Sequence, residues 1–417
     1  MSDRPDPDGG WLDRVLELDV GAVAHGGHCV ARFEGRVVFV RHALPGERVR
    51  AVVTEDRHGS FCRADTVTVL RESVHRVEPP CPWARAGGCG GCDFQHADPA
   101  AQRGLKADVL AEQLRRLAGL DRSVVVEELP GGPLGWRDRV RLAVGPDGTA
   151  GLRAHRAHDV IPISDCPLAP PGMLPPVLAR AWPPGAEVQV ERDADGAVVT
   201  SGTAGGTTRR APAADADTRP DEPVPVADGE PVRHLLGGRE WLVPPGVFWQ
   251  VHPALGEILC GVVADWADAP AGGRAWDLYG GAGVLASVLA GQVGPSGTVT
   301  VVESDRRAVA AGRAALADLP SVRWRTGRVE RTLAALAGEG RPDVVVADPP
   351  RKGLGRSVVD ALAAAGPDRL VHVACDPAAL ARDVALLADR GYRLAELRAF
   401  DAFPMTHHLE AVALFAR

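Results

Sequence analysis

The chain has 417 residues, 45% hydrophobic and 24% charged, which is the composition of a soluble globular protein too long for one hydrophobic core. We therefore expect two or three domains. The formal net charge of −7 gives no overall attraction to nucleic acid, so such a partner would need local basic patches. No run approaches the ~18 apolar residues of a membrane span, and the first residues lack the features of a signal peptide, so we expect a cytoplasmic protein.

The N-terminal part is predicted to contain a tail, a small barrel and a helix. Residues 1–11 are expected to form a disordered tail. Residues 12–76 contain short alternating runs such as "RVVFV" and "RVRAVV" separated by turn signals, which indicates a small β-barrel. A helix is then predicted to begin with Asp98 as its cap and Pro99 at its first position, and to end at Gly119.

The rest of the chain divides at an unusual segment. Residues 77–235 are assigned to a central domain that is β-rich over 124–200. Its segment 201–232 has almost no large apolar side chains and is expected to be a disordered insertion. In residues 236–417, apolar β runs such as "RAWDLY" and "DVVVAD" alternate with helical segments, which predicts an α/β domain with a doubly wound parallel sheet.

Three cysteines are clustered in "CPWARAGGCGGCDF", at positions 81, 89 and 92. Three sulfurs cannot all pair as disulfides. A closed tetrahedral metal site or an iron-sulfur site takes four ligands, so a fourth ligand must come from elsewhere in the chain.

A glycine-rich loop in "AWDLYGGAGVLASVLA" follows a predicted strand and precedes a helix. Gly280, Gly281 and Gly283 let the backbone approach a ligand at the carboxyl end of that strand. Asp277 stands just before the loop, and Glu303 ends the next strand, where a carboxylate can hold ribose hydroxyls. The pattern favours S-adenosylmethionine. A dinucleotide and glycines that serve packing alone are the alternatives, whereas a P-loop is excluded because G-K-[ST] is missing.

Two further residues are predicted at the same edge of the sheet. Asp348 ends the run "VVVAD" before "PPRKG", and Cys375 ends the run "RLVHVAC" before a helix opened by Asp376. A proline-stiffened loop is the alternative interpretation of the first motif, and an ordinary core cysteine that of the second. The helix N-terminus is expected to favour the thiolate of Cys375.

The motifs "DLYGGAG", "DPPRKG", "ACDPAALARD" and "FPMTHHLE" together resemble the uracil-C5 RNA methyltransferase family, whose members form 5-methyluridine in tRNA or 23S rRNA. "HGGHCVARFEGRVVFVRHALPGERV" resembles the N-terminal TRAM domain of that family, an RNA-binding β-barrel. The resemblance implies a TRAM β-barrel, a β-rich central domain that carries a cluster, and a class I (Rossmann-like) S-adenosylmethionine-dependent methyltransferase domain. RNA is then the partner, and we expect a monomer.

The resemblance also implies ligands for the cofactors. Cys166 in "IPISDCPL" matches the fourth cysteine of the iron-sulfur members, so a 4Fe-4S cluster is expected on Cys81, Cys89, Cys92 and Cys166; zinc on the same cysteines is the alternative. The residues expected to bind S-adenosylmethionine, by family match or through the glycine loop, are Gln250, Tyr279, Gly281, Gly283, Glu303 and Asp348.

The expected chemistry needs a nucleophile and a base. C5 of uracil is a weak nucleophile until a thiolate adds to C6, and Cys375 is the predicted thiolate. A base must then remove the C5 proton, a role for which Glu410 matches the family residue. A solvated strand end is the alternative interpretation of Glu410.

A basic strand is a candidate RNA contact. Arg137, Arg139 and Arg141 alternate in "WRDRVRLAV" and so share one face. This face suits a phosphate track, together with Arg153 and Arg156 on the following segment, and Trp136 could stack on a base. A solvated charged face is the alternative.

Three rival functions remain open at this stage. They are cytosine-C5 methylation, an RNA-binding assembly factor with an inactive methyltransferase domain, and an iron-sulfur electron carrier or redox sensor.

Overall fold

A computed structural model describes residues 10–57, 59–204, 207–210 and 230–417. Most of the tail predicted at 1–11, and residues 205–206 and 211–229 of the predicted insertion, lie outside the described residues. Within the described ranges, no helix is both long enough and apolar enough to cross a membrane.

The N-terminal domain, for which a small β-barrel was predicted, has five strands. Its strands follow the order β1-β4-β5-β3-β2, and the two edge strands β1 and β2 contact each other. Val49, Ala51 and Val53 alternate inward along one strand because successive side chains point to opposite faces. The strands are β1 (Val15–Asp19), β2 (Cys29–Phe33), β3 (Arg36–Arg41), β4 (Arg48–Asp56) and β5 (Phe61–Arg71).

A six-stranded sheet of order β12-β11-β10-β7-β8-β9 forms the centre of the molecule. Its elements are β7 (Arg139–Val144), β8 (Ala150–Arg153), β9 (Val160–Pro162), α2 (Pro175–Leu178), β10 (Glu187–Arg192), β11 (Val198–Ala204) and β12 (Thr207–Arg210). Here the structure differs from the sequence prediction, because residues 201–204 and 207–210 lie in paired strands and not in a disordered insertion. Backbone hydrogen bonds between β10 and β11 extend the sheet into this segment, although apolar side chains are rare there.

The C-terminal sheet has eight strands in the order β17-β16-β15-β18-β19-β21-β20-β6. Strands β15 to β19 are parallel, and β21 runs antiparallel to both of its neighbours. A hairpin of β13 (Val232–Leu236) and β14 (Arg239–Val243) leads into it. The order reverses between β15 and β18, and ligands of such sheets bind at that point, outside the carboxyl ends of the strands.

The elements of this layer are α3 (Leu255–Ala267), β15 (Arg274–Leu278), α4 (Val284–Val293), β16 (Thr298–Glu303), α5 (Arg306–Ala315), β17 (Val322–Thr326), α6 (Val329–Glu339), β18 (Val344–Ala347), α7 (Gly355–Ala365), β19 (Arg369–Ala374), α8 (Pro377–Ala388), β20 (Arg393–Asp401) and β21 (Glu410–Ala416). The predicted alternation of strands and helices is confirmed.

Two elements from the stretch assigned to the central domain pack on the C-terminal sheet. Helix α1 (Pro99–Ala118) packs against α8, and β6 (Val126–Glu128) extends the sheet beside β20. The helix has the predicted ends, since Asp98 accepts a hydrogen bond from the N–H of Ala101 at 2.8 Å and Gly119 is left-handed. Its buried Lys106 pairs with Asp401 at 2.5 Å, which fixes α1 to the end of β20.

Candidate active site

A cavity of about 970 Å³, the main cavity, opens where β15, β16, β18 and β19 end. This edge of the sheet is where the sequence predicted the cofactor and the nucleophile. The predicted residues that line the main cavity are Gln250, Tyr279, Gly281, Glu303, Asp348, Cys375 and Glu410. Residues of the cofactor motifs and of the catalytic motifs therefore share one space.

The glycine-rich loop forms one wall of this cavity. Gly280 has to be a glycine, since a Cβ there would lie 2.5 Å from Cγ1 of Val301 and 2.8 Å from Oδ2 of Asp277. Gly281 and Gly283 both have positive φ, of 55° and 82°, which other L-residues rarely adopt.

Glu303 is fixed by the loop it faces. Its carboxylate accepts hydrogen bonds from the N–H of Gly281 at 3.0 Å and from the N–H of Asp305 at 2.7 Å. Gly327, Arg328 and Val329 line the cavity where β17 ends. This arrangement suits a nucleoside cofactor, with its ribose held by Glu303 and its nucleobase beside Arg328.

A side cavity of about 340 Å³ adjoins the main one, and Gln250, Tyr279, Gly281 and Asp348 line both. Asp277 lines the side cavity and is fully buried. Its carboxyl group interacts with the backbone N–H of Ala286, but among the described residues neither oxygen makes a hydrogen bond of regular geometry, and the hydroxyl of Tyr279 is unpartnered. Buried polar groups without partners are costly, so these atoms are suited to a polar ligand.

Three carboxyl groups at this site interact with one another. Burial, with a smaller contribution from the nearby Asp348, raises the pKa of Asp277 to about 8. Burial also raises the pKa of Asp348 to about 6. The pKa of Glu410 is raised well above its usual range, first by burial and then by Asp348. A cationic ligand, such as one that carries a sulfonium and an ammonium group, would relieve this repulsion, so the donor set fits S-adenosylmethionine.

The raised pKa of Asp277 makes stability depend on pH. A carboxyl group whose pKa rises from about 4 in the unfolded chain to about 8 in the folded one destabilises the fold increasingly between these two values. We therefore expect Asp277→Asn to raise the melting temperature of the cofactor-free protein, by a margin that grows as the pH rises from 5 to 8. Thermal denaturation at several pH values measures this. A margin that shrinks with pH would contradict it.

Cys375 follows β19 and lines the main cavity together with Glu410. Burial raises the pKa of its thiol to about 12, and Glu410 and Asp348 add to the shift. The prediction that the helix N-terminus favours a thiolate is therefore wrong for the free protein. Asp376, which caps α8 by accepting the N–H of Ala379 at 2.7 Å, is itself a further negative charge beside the thiol.

The loop between β20 and β21 supplies residues to which the sequence analysis gave no role. Thr406 and His408 line the main cavity, and Arg351 Nη2 lies 3.4 Å from His408 Nε2. Burial lowers the pKa of His408 to about 3, so its imidazole is neutral. Phe248, also unassigned, is 63% exposed on the rim between the two cavities. The sequence could have indicated these residues only through the motifs that contain them, which are "FPMTHHLE" for Thr406 and His408 and "VFWQVHP" for Phe248.

Comparison with known proteins agrees with this geometry. The family model described as tRNA (Uracil-5-)-methyltransferase matches residues 339–417, and the TRAM domain model matches residues 13–64. An uncharacterized RNA methyltransferase of Streptomyces coelicolor is 45% identical, over 95% of this chain and 92% of the relative. The 23S rRNA (uracil(1939)-C(5))-methyltransferase RlmD of Pseudomonas fluorescens Pf0-1 is 34% identical, over 95% of this chain and 91% of the relative.

The chain belongs to the S-adenosylmethionine-dependent RNA uracil-5-methyltransferases. Its fold matches the crystal structure of the Pyrococcus abyssi tRNA (uracil-54, C5)-methyltransferase in complex with S-adenosyl-L-homocysteine, with a TM-score of 0.69. The match covers 96% of this chain and all of that one, at 21% sequence identity. The N-terminal barrel is a TRAM domain, and the eight-stranded sheet belongs to the methyltransferase domain.

The cysteines of this uracil-5-methyltransferase are brought together beside the main cavity. Cys81, Cys89, Cys92 and Cys166 line one small cavity, and Arg137 lines both that cavity and the main one. Among the described residues, however, no three or more His, Cys, Asp or Glu side chains are arranged to hold a metal ion.

The predicted phosphate track faces acidic side chains of a neighbouring strand. Arg139 contacts Glu191 at 2.5 Å, and Glu187 lies within 4.0 Å of Arg141. Strand β10 runs beside β7 and supplies these acids, so Arg139 is paired and largely buried, whereas Arg141 stays exposed. Of the three arginines in "WRDRVRLAV", Arg137, which precedes β7, is the one that lines the main cavity.

Trp136 lines the main cavity, but its indole ring already packs against side chains of the protein. Its ring is 4% exposed and packs between other side chains of the protein, stacked on His252 at 5.9 Å and edge-on to Phe403 at 6.1 Å between ring centres.

Proposed function

We propose that this protein transfers a methyl group from S-adenosylmethionine to C5 of a uridine in 23S rRNA, through a covalent bond between Cys375 and C6 of that uridine. The observation that carries the proposal is the shared main cavity, in which Cys375 and Glu410 lie with Glu303 and Asp348. The choice of 23S rRNA is supported by the relative of that activity, which matches along nearly the whole chain.

The residues proposed to hold the cofactor are those of the glycine loop and of the neighbouring strand ends. Glu303 would accept the ribose hydroxyls, and Gly281 and Gly283 would let the backbone approach. Gln250, Tyr279 and Asp348, which line both cavities, would surround the amino-acid part. The cofactor supplies an electrophilic methyl group on a positively charged sulfur.

The chain's own residues supply the remaining chemistry. The Cys375 thiol first gives its proton to water in the open cavity. The resulting thiolate forms a bond to C6, and the C5–C6 π electrons move toward O4 to give an enolate with nucleophilic character at C5. C5 then takes the methyl group, and the electrons of the broken sulfur–carbon bond stay on the cofactor sulfur. Glu410 accepts the C5 proton, the C5–C6 double bond re-forms, and the Cys375 thiolate leaves. The target base must leave its stack to reach the cavity.

Mapping of modified nucleosides tests the function and its substrate. A strain that lacks this gene should lose 5-methyluridine at one position of 23S rRNA, and the intact gene should restore it while the Cys375→Ala gene does not. Loss from tRNA alone would contradict the substrate. Loss of 5-methylcytidine would indicate cytosine methylation, and unchanged nucleosides would indicate an inactive assembly factor.

We also propose that Cys81, Cys89, Cys92 and Cys166 hold a 4Fe-4S cluster. All four line one cavity, and hydrogen bonds reach two of their sulfurs, from Gln95 Nε2 to Cys92 at 3.1 Å and from the N–H of Gly91 to Cys89 at 3.4 Å. N–H donors aimed at sulfur are typical of iron-sulfur sites. Burial and the neighbouring thiols raise the pKa of Cys92, so thiolates at this site need a bound cation.

Metal analysis tests the cluster. Protein purified without oxygen should be brown and contain about four iron and about four sulfide per chain. We expect Cys166→Ser to impair folding or RNA binding more than S-adenosylmethionine affinity, because Cys166 belongs to the hydrophobic cluster of the central sheet, whereas Ala282 of the glycine loop belongs to a cluster of the methyltransferase domain. Zinc at full occupancy after anaerobic purification would favour the alternative metal.

A further inference from the structure

Asp93 connects the segment 81–93, which carries three of the cysteines (the cysteine loop), to the segment 402–409 between β20 and β21 (the catalytic loop), and the proposed chemistry gives it no role. It directly follows Cys92 in the sequence and is 9% exposed. Its Oδ2 atom lies 2.6 Å from Nδ1 of His407 and accepts the backbone N–H of His407 at 3.1 Å. The backbone N–H of Asp93 also donates to the carbonyl of Met405 at 2.9 Å. One residue thus holds the catalytic loop at two positions, 405 and 407.

The partner of Asp93 lies against the active site. The ring of His407 is 4.0 Å from the ring of His408, which lines the main cavity with Cys375 and Glu410. Glu410 follows three positions after His407 and begins β21. A shift of His407 would therefore displace the side chain that faces the target base and the residue proposed as the base.

The catalytic loop needs external support because its own backbone is strained. Met405 has a φ of 69°, a left-handed conformation that costs energy for any residue with a Cβ. Gln102 on α1 accepts the N–H of Met405 at 2.8 Å, and the N–H of Phe94 donates to the carbonyl of Met405 at 3.0 Å. The cysteine loop and α1 thus hold this conformation from two sides.

The TRAM domain covers the same contact. A Cβ on Gly27 would lie 2.8 Å from Cβ of His407 and 3.1 Å from Cβ of Asp93, so the barrel packs tightly on the pair. Arg41 of the barrel lies 3.9 Å from the other carboxylate oxygen of Asp93. All three parts of the chain therefore meet at Asp93 and His407.

We propose that Asp93 is a positioning residue for the methyl-transfer reaction, which holds His407 so that His408 and Glu410 face the target uridine. The proposal rests on the proposed function, because it assigns Asp93 to the step that Glu410 performs. It also gives the cysteine site a mechanical role: Cys92 is adjacent to Asp93, so whatever fixes the cysteine loop also fixes the catalytic loop. A misplacement of about 1 Å can reduce a rate by about 10²-fold even when the chemical groups remain.

The test uses full-length variants, RNA that carries the target uridine, and S-adenosylmethionine with a labelled methyl group. It separates methyl transfer from product release. We expect Asp93→Ala to bind the cofactor normally and to transfer the methyl group, but to release the product about 10²-fold more slowly. Labelled methyl should therefore accumulate in a protein–RNA adduct that survives a denaturing gel. His407→Ala removes the same contact from the other side and should give the same adduct.

Two further variants separate positioning from general stability. Asp93→Asn keeps an oxygen that accepts both N–H groups of His407, so it should restore most of the release rate. Glu47→Ala removes a fully buried carboxylate of the TRAM domain, which accepts hydrogen bonds from Leu44, Ser73 and Arg76 and not from the catalytic loop. It should lower the melting temperature without accumulating adduct.

The possible outcomes distinguish this inference from the proposed function. Normal release by folded Asp93→Ala and His407→Ala, or an equal adduct with Glu47→Ala, would overturn the positioning role. Accumulation of adduct by Glu410→Gln alone would leave the proposed function intact and refute the role of Asp93. If the unaltered protein forms no adduct with RNA that carries 5-fluorouridine at the target, the covalent mechanism itself fails, and the positioning role fails with it.

Discussion

Replacement of Cys375 by alanine is expected to abolish methyl transfer, by about 10⁴- to 10⁶-fold, while S-adenosylmethionine still binds. The Cys375 side chain lies just after β19 on the wall of the main cavity. The positions of the residues around the glycine loop do not depend on it. Without a sulfur to add to C6, C5 of uracil stays too weakly nucleophilic to take the methyl group. Transfer of labelled methyl to RNA and calorimetric binding of the cofactor measure the two effects separately.

Cys260 provides the matched control for this prediction. It is also a partly buried cysteine of the methyltransferase domain, but it packs from α3 against the hydrophobic core. Cys260→Ala should keep the normal rate. RNA with 5-fluorouridine at the target should trap the unaltered protein and Cys260→Ala covalently, because fluorine cannot leave C5 as a proton does, and it should not trap Cys375→Ala. Undiminished turnover by Cys375→Ala would end the assignment of the nucleophile.

The arrangement of strands was predictable because the hydrophobic pattern is regular where strands are buried on both faces. "DVVVAD" and "RLVHVAC" contain the runs of β18 and β19, and helices separate them at the expected intervals. The positions of β6 and β12 were not predictable. Three- and four-residue strands carry almost no pattern of their own, and they form because a neighbouring strand offers a free edge.

The cavity residues could be predicted to meet because parallel strands end at one edge of a sheet. Glu303, Asp348 and Cys375 each stand at or just after the end of a strand, and the structure brings them into one cavity. The thiol pKa of Cys375 could not be predicted, because it depends on Glu410, which reaches the cavity from an antiparallel strand.

Contacts between distant segments were also beyond the sequence. Asp93 and His407 are 314 positions apart, and neither belongs to a pattern of its own. The ion pair of Arg139 with Glu191 depends on the pairing of β7 with β10, which an alternating pattern does not specify. A sequence shows which residues share a strand face but not which charges lie across from them.

Glu410→Gln is expected to stop the reaction after methyl transfer. Burial and Asp348 raise the pKa of Glu410, and an amide of the same shape as the carboxyl group should preserve the fold. The variant should still allow Cys375 to attack and C5 to take the methyl group, but it has no carboxylate to accept the C5 proton. A positioned base contributes roughly 10²- to 10⁴-fold, so the methylated adduct should persist longer by about that factor.

The measurement is labelled methyl in a protein–RNA adduct on a denaturing gel, followed over pH. The ionised fraction of a carboxyl group with a raised pKa grows as the pH rises, so product release by the unaltered protein should accelerate with pH, and this dependence should disappear in Glu410→Gln. Release of methylated RNA at the normal rate would show that Glu410 is not the base. A folded variant that binds the cofactor but forms no adduct would place Glu410 before methyl transfer, where it would hold the uracil for attack by Cys375.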